Sequence, residues 1–400
     1  MKFKTSKKIY LHIDCDSFFA SCEELRNPDI RWKYVCVWDE IIIACSYEAK
    51  KLWIYTWLPV WEAKKILKKQ GIFIKPDLFY YWEVSINFIN FLEKYTFNIE
   101  QFSIDEAFCE ITWLPEYFKQ DLDKYLKLIQ YEIYKNIWIK VSIWCANTKI
   151  KAKIFSKLNK PFWIFNGFNV DIKELYQNLE LKTIPFIWKK TEQKLKYKAK
   201  TIYDYMKIWY WTLDDLIWKI ATDLWLELAG VDVFKVKKSN NIQSISRSRS
   251  FNSNKNNDIS FLKNELIKNF EHVFRQIIDK DFLVKNIWIL LRDREFNTYH
   301  LDIILSDYTN ERKKILQIIY NLFESSYSDC LEYRSTWIYF SDFKSFLPRQ
   351  LSIFDVQNLS TMNNFTLNKT IINLNQKYWD NILTYGTTLI ETKKLKTRFI

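Results

Sequence analysis

Ile9-Tyr10-Leu11-His12-Ile13-Asp14-Cys15-Asp16-Ser17-Phe18-Phe19 decides how this chain is read. Residues 9 to 13 are apolar, aromatic or β-branched, as expected of a buried strand, and the first charge comes at Asp14, where that strand should leave the core. Asp16 then suits the N-cap of a helix from Ser17 to Leu25. About ninety residues on stands a second acidic motif, Ser103-Ile104-Asp105-Glu106-Ala107. Its alternation projects Asp105 and Glu106 to opposite sides of a strand, with a hairpin turn free to bring both to one ion. Asp14, Asp105 and Glu106 are hard oxygen donors of the kind that suits Mg²⁺, which prefers carboxylates together with substrate phosphates. Alone, an Asp at a strand end is a cap and an Asp-Glu pair a solvated turn; the two motifs carry chemistry only together.

The composition sets the surroundings. With 400 residues, 48% of them hydrophobic, the chain is long enough for roughly two to four domains with substantial cores. No apolar run is long enough to span a bilayer, and the apolar stretch after the basic N-terminus is interrupted at His12 and Asp14, so a cytoplasmic protein is expected. Seven cysteines form no C-x-x-C pair and only three histidines are present, which argues against structural zinc or a disulfide framework. A formal net charge of +13, spread along the chain without one amphipathic anchor, points to a polyanionic partner rather than a membrane.

One feature conflicts with a turn-containing fold: 18 Trp against 4 Gly, where an average protein has about 7% Gly. Trp32, Trp38, Trp53, Trp57 and Trp188 stand between short segments or beside helices, where turn chemistry asks for glycine. We read many of these as codons that the native organism translates as glycine through a reassigned UGA.

Taken in order, Ile13-Asp14-Cys15-Asp16-Ser17-Phe18-Phe19-Ala20-Ser21-Cys22-Glu23, Ala44-Cys45-Ser46-Tyr47-Glu48-Ala49-Lys50-Lys51, Ser103-Ile104-Asp105-Glu106-Ala107-Phe108, Asn147-Thr148-Lys149 with Ala152-Lys153, Leu158-Asn159-Lys160-Pro161 and Ser244-Ile245-Ser246-Arg247-Ser248-Arg249-Ser250-Phe251 follow one pattern. Across about residues 9 to 345 the chain resembles the Y-family DNA polymerases of the polymerase IV and V branch, which copy past damaged bases. Against that pattern, Trp32, Trp53, Trp57, Trp144, Trp163, Trp188 and Trp337 sit where the family commonly has glycine.

The resemblance implies an α+β multidomain, right-hand polymerase. Its palm would be 1–17 and 76–165, its small fingers 18–75, its helical thumb 166–236, a linker 237–243, a little finger 244–345, and a tail 346–400. Asp14 and Asp105 would bridge two Mg²⁺ ions, with Mn²⁺ as a substitute; Glu106 would hold the metal at the primer end, and the Cys15 carbonyl would complete the nucleotide-bound one. Phe19 would stack under the incoming sugar as a gate against a 2′-hydroxyl. Tyr47 and Lys50, three apart on a helix and so on one face, would meet the triphosphate together with Lys160. At Lys50 the family more often has Arg, so a point charge replaces a bidentate fork.

Residues 184–195 resemble a helix-hairpin-helix, in which hairpin amides and the following helix hold a DNA phosphate without reading sequence; Lys189 and Lys190 belong to its basic run. Residues 242–345 read as strand, helix, strand, strand, helix, strand, a split β-α-β-β-α-β unit, with Arg247 and Arg249 two apart on one side of a strand and so placed for template phosphates. In the tail, Gln350, Leu351, Ile353 and Phe354 resemble the peptide that bacterial polymerases insert into the sliding clamp. The expected partners are therefore primer-template DNA, dNTPs and the clamp, with the chain a monomer. No segment is left for an exonuclease, so no proofreading is expected. Two other readings compete: a catalytically silent, clamp-tethered DNA-binding relative, and another two-metal enzyme such as a nuclease or cyclase. Intact Asp14, Asp105 and Glu106 count against the first, and the thumb and little-finger pattern against the second.

Overall fold

The computed structural model describes residues 5–117, 121–210, 212–213, 219–237, 242–251, 258–346, 366–374 and 383. Two compact units divide the chain, Met1–Ser239 and Asn240–Ile400. The tail motif Gln350, Leu351, Ile353 and Phe354 lies outside the described residues.

In the first unit the opening stretch forms β1 (Tyr10–Cys15) and α1 (Phe18–Arg26). A three-stranded sheet follows, β2 (Tyr34–Trp38), β3 (Ile42–Cys45) and β4 (Gly71–Ile74), with α2 (Tyr47–Lys51) and α3 (Val60–Leu67) between β3 and β4. Ser46 starts α2 by accepting the Ala49 N–H on its hydroxyl at 3.3 Å, the ordinary N-cap device. Next come α4 (Leu78–Leu92), β5 (Ile99–Gln101), β6 (Glu106–Glu110), α5 (Leu114–Tyr117), α6 (Leu122–Ile137), β7 (Val141–Ala146), α7 (Lys149–Phe155) and β8 (Ile164–Asn166). These strands make a five-stranded sheet in the order β5-β6-β1-β7-β8, antiparallel except for β7 and β8. β1 lies at its centre because both its neighbours bury apolar side chains in register with it.

The alternation of side chains places Ile13, opposite Ala107 and Ile143, on the face that packs against Phe88, Leu92, Tyr125, Ile129 and Ile133 of α4 and α6. His12 and Asp14 fall on the other face, Asp14 directly opposite Glu106 on one side and Ser142 on the other. The unit closes with the short helices α8 (Ile172–Asn178), α9 (Lys189–Leu195), α10 (Ile202–Lys207) and α11 (Lys219–Ala229), whose apolar faces share a core with Trp144, Ile150, Ile154 and Phe155.

The second unit runs β9 (Ser244–Ser250), α12 (Ile259–Asp279), β10 (Phe282–Asp293), β11 (Thr298–Thr309), α13 (Arg312–Ser326) and β12 (Tyr333–Ser345), with sheet order β11-β10-β12-β9. That is the strand-helix-strand-strand-helix-strand sequence expected. Asp258 caps α12 through the Ser260 and Phe261 N–H groups at 2.8 and 3.3 Å. A further helix at 366–374 buries Ile372 in this unit's core.

The tryptophan reading divides on the backbone. Trp32, Trp53 and Trp57 have φ of 64°, 63° and 81°, and Trp138, which sequence reasoning did not single out, has 63° at the end of α6. All four rings are exposed, by 66, 85, 75 and 54%, so little burial offsets a left-handed backbone that only glycine enters freely. Trp38 and Trp188 correct the expectation: Trp38 sits in β2, and Trp188 begins α9 with φ −89°. The left-handed residue of that hairpin is Phe186, at 67°. Trp144 is also unlike a glycine position, since its ring is fully buried and its Nε1–H donates to the Leu158 carbonyl at 3.2 Å.

Candidate active site

The two acidic motifs meet through their backbones. The Cys15 N–H donates to the Asp105 carbonyl at 2.8 Å, and the Phe102 and Ser103 N–H groups turn back onto the Glu106 carbonyl at 3.0 and 3.2 Å. This turn presents Asp105 beside the end of β1, while Glu106 begins β6 directly opposite Asp14. Asp14, Cys15 and Asp105 line one cavity of about 280 Å³ with Phe19, Tyr47, Lys50 and Lys160. All seven were selected from sequence.

Charge at the site is strongly organised. Burial raises the Asp14 carboxyl, opposed by Lys160, whose ammonium pairs with it. Glu106 behaves oppositely. Burial alone would raise it, but the His12 hydrogen bond and the Lys153 ammonium outweigh that and hold it at about 2. His12 is fully buried, and burial lowers its pKa, so the neutral ring donates Nε2–H to Glu106 Oε2 at 2.9 Å. Lys153 of α7 pairs with the same oxygen. Glu106 Oε2 is thus held twice. Sequence reasoning named neither His12 nor Lys153 as a partner of Glu106; the signal for His12 was its alternation with Asp14 on one face of β1.

The donor set fits a divalent ion that completes its shell with substrate and water. Asp14 and Asp105 offer carboxylate oxygens at one wall of the cavity, which Glu106, turned to His12 and Lys153, does not line; among the described residues no group of three or more His, Cys, Asp or Glu side chains is placed to hold a metal ion. Mg²⁺ characteristically uses one or two carboxylates plus phosphates in this way.

Phe18 and Phe19 both line the cavity; Phe18 is buried in the core, and Phe19, less buried, stacks on Tyr81 with centroids 4.6 Å apart. Lys50 Nζ donates to Ser17 Oγ at 2.7 Å and lies 4.1 Å from the Tyr47 ring centroid; burial lowers its pKa. Asp16 does not cap α1. The N-cap is Ser17, with φ 48° and no side-chain cap bond, and the Asp16 carboxylate turns to Ser142, Phe162 and Tyr47 instead.

A second cavity, of about 570 Å³, opens beside the first and shares Tyr47, Lys50 and Lys160. Glu24 lines it, and burial first, then Glu48, raise its carboxyl to about 7 against Lys140 and Arg31. A folded value above the unfolded 4.5 means that this group's contribution to stability is full below the unfolded value and is lost as pH rises through the folded one. Glu24→Gln should therefore leave the Tm unchanged at low pH and stabilise by about 1 kcal/mol at pH 8, solvent screening included. A Tm difference independent of pH would contradict this.

Lys189, Lys190, Arg247 and Arg249 are not among the residues that line these cavities. Lys189 and Lys190 are exposed at the start of α9. Arg247 and Arg249 share one side of β9, the side of Ile245, and Arg249 pairs with Glu265 of α12 at 3.4 Å.

Comparison with known proteins matches residues 13–157 to the impB/mucB/samB family and residues 242–353 to the C-terminal domain of the same family. DNA polymerase IV of Streptococcus agalactiae is 27% identical over 337 residues, covering 80% of this chain and 90% of the relative. DNA polymerase IV of Fusobacterium nucleatum is 28% identical over 355 residues, covering 87% and 99%. Among solved structures, a Y-family DNA polymerase chimera of Dbh and Dpo4 superposes with a TM-score of 0.69 at 21% identity, over 84% of this chain and 99% of the other. An insertion ternary complex of Dbh DNA polymerase gives 0.55 at 20% identity, with the same coverage. The two matched segments fall in separate compact units yet follow the order of one family, and this chain belongs to it: the impB/mucB/samB family, within the Y-family DNA polymerases.

Proposed function

We propose that this chain is a template-directed DNA polymerase that adds deoxynucleotides opposite damaged as well as intact bases. The observation that carries this reading is the single cavity lined by Asp14, Cys15, Asp105, Phe19, Tyr47, Lys50 and Lys160. Carboxylates, an aromatic ring and two ammonium groups stand there together, a set that nucleotidyl transfer would use. A silent relative needs no such set, and the intact carboxylates disfavour it.

Divalent ions, Mg²⁺ with Mn²⁺ as a substitute, would supply activation of a primer 3′-hydroxyl and neutralisation of charge on the α-phosphate. Asp14 and Asp105 would hold both ions, Glu106 the one at the primer end and the Cys15 carbonyl the one with the nucleotide. Tyr47, Lys50 and Lys160 orient the triphosphate, Lys160 exchanging its Asp14 partner for phosphate. Phe19, stacked on Tyr81, would lie beneath the sugar. Phe19→Ala should weaken rejection of ribonucleotides by roughly 10²-fold, read as the ratio of kcat/KM for dNTP and rNTP; an unchanged ratio removes the gate role.

In this reading the palm is 1–17 and 76–165, the fingers 18–75, the thumb 166–236 and the little finger 244–345. Lys189, Lys190, Arg247 and Arg249 add backbone contacts to primer-template DNA, which makes affinity fall with salt. The segment Gln350, Leu351, Ile353 and Phe354 tethers a monomer to the sliding clamp. Seven free cysteines, six of them buried, accord with a reducing cytoplasm, and among the described residues no helix is long and apolar enough to cross a membrane. Primer extension in Mg²⁺ on an undamaged and an abasic template tests the function: product past the abasic site supports it, and no extension on either template defeats it.

A further inference from the structure

Asp16 sits two residues beyond Asp14, only 2% exposed. Every described acceptor site on its carboxylate is engaged by a segment distant in sequence. Ser142 Oγ of β7 donates at 3.0 Å to both oxygens. The Phe162 N–H donates at 2.7 Å, from a residue held at φ 51°. The Tyr47 hydroxyl donates at 3.4 Å from α2. Ser142 Oγ in turn accepts the Trp163 N–H at 3.1 Å, so Asp16 and Ser142 together pin the loop that follows Lys160.

Two of these partners bear on residues that line both cavities: Tyr47 is itself one, and Phe162 is two residues from another, Lys160. Ser17, next to Asp16 and also lining both, accepts from a third, Lys50. A buried carboxylate that accepts from three elements is costly unless each bond is made. Tyr47, Lys50 and Lys160 come from separate segments, and the Asp16-Ser17 pair is where those segments are tied together.

We propose that Asp16 is a positioning residue for nucleotide binding, setting Tyr47 and the Lys160 loop for the triphosphate without touching the reacting atoms. The assignment rests on the polymerase reading of the same site. Asp16→Asn keeps the volume but sets an NH₂ group against at least one of the donors Ser142, Phe162 and Tyr47.

Steady-state single-nucleotide incorporation separates the possibilities. For Asp16→Asn the KM for dNTP should rise roughly tenfold while kcat stays within about threefold and primer-template affinity is unchanged. Ser142→Ala, which removes one hydroxyl and leaves the carboxylate in place, should shift KM the same way by a smaller factor, and it decides the matter if Asp16→Asn does not fold. An unchanged KM in both folded variants, or a loss confined to kcat, overturns the assignment while leaving the polymerase reading intact. A wild-type protein that incorporates no nucleotide overturns both.

Discussion

Asp105→Ala should lower the single-turnover rate of nucleotide incorporation by roughly 10³-fold or more, because a carboxylate that holds charge-neutralising ions acts mainly in the transition state. The fold should survive the change. Asp105 lies in the turn before β6, its side chain is half-buried and accepts from Ser103, and its backbone carbonyl, which receives the Cys15 N–H, remains. The check is rate and Tm measured on the same preparation. A variant with native Tm that still extends primers at more than about a tenth of the wild-type rate would refute the metal-holding role of Asp105.

The second large effect concerns stability. Trp32→Gly, Trp53→Gly, Trp57→Gly and Trp138→Gly each release a non-glycine residue from a left-handed backbone that costs about 1–2 kcal/mol. The greater freedom of glycine in the unfolded chain offsets part of this, so about 1 kcal/mol per site is the expected net gain. Trp32 and Trp138 flank the same cavity, beneath Lys140 and Arg31 respectively, and are the pair for which additivity is least assured. For the four together, a rise in Tm on the order of 10 °C is expected for a unit of this size. Calorimetry of the four-fold variant checks it; a Tm equal to or below that of the tryptophan form contradicts the backbone argument. At the gene level the same reading predicts UGA at codons 32, 53, 57 and 138, and UGG there would refute it.

The parts of the fold visible in advance were those carried by local pattern. Residues 9 to 13 announced β1, and the apolar periodicities between 242 and 345 announced all six elements of the second unit. The cavity residues were legible because each stood in a motif of contiguous residues.

Partners far apart along the chain were not legible. Asp16 looked like a local cap because capping partners lie two or three residues away, whereas its actual donors Ser142 and Phe162 lie 126 and 146 positions on. The grip of His12 and Lys153 on Glu106 depends on the pairing of β1 with β6 and the placement of α7, which no single segment encodes. Arg247 and Arg249 show the limit of periodicity. Spacing put them on one side of a strand, but that this is the side of Ile245, with Glu265 within reach of Arg249, required the register of β9 on β12. The glycine deficit was visible as composition, yet only the structure separated Trp32, Trp53, Trp57 and Trp138, left-handed and exposed, from Trp38 in a strand, Trp144 in the core and Trp188 at φ −89°.

Template-directed synthesis should depend on Asp14, Asp105 and Glu106. The measurement is incorporation of each dNTP supplied singly, in Mg²⁺, on four primer-templates that differ only in the first unpaired template base, with Asp105→Ala run in parallel. The expected result is extension by the complementary nucleotide on each template by the wild type, and none by the variant. Extension indifferent to the template base, or equal in the two proteins, would contradict it.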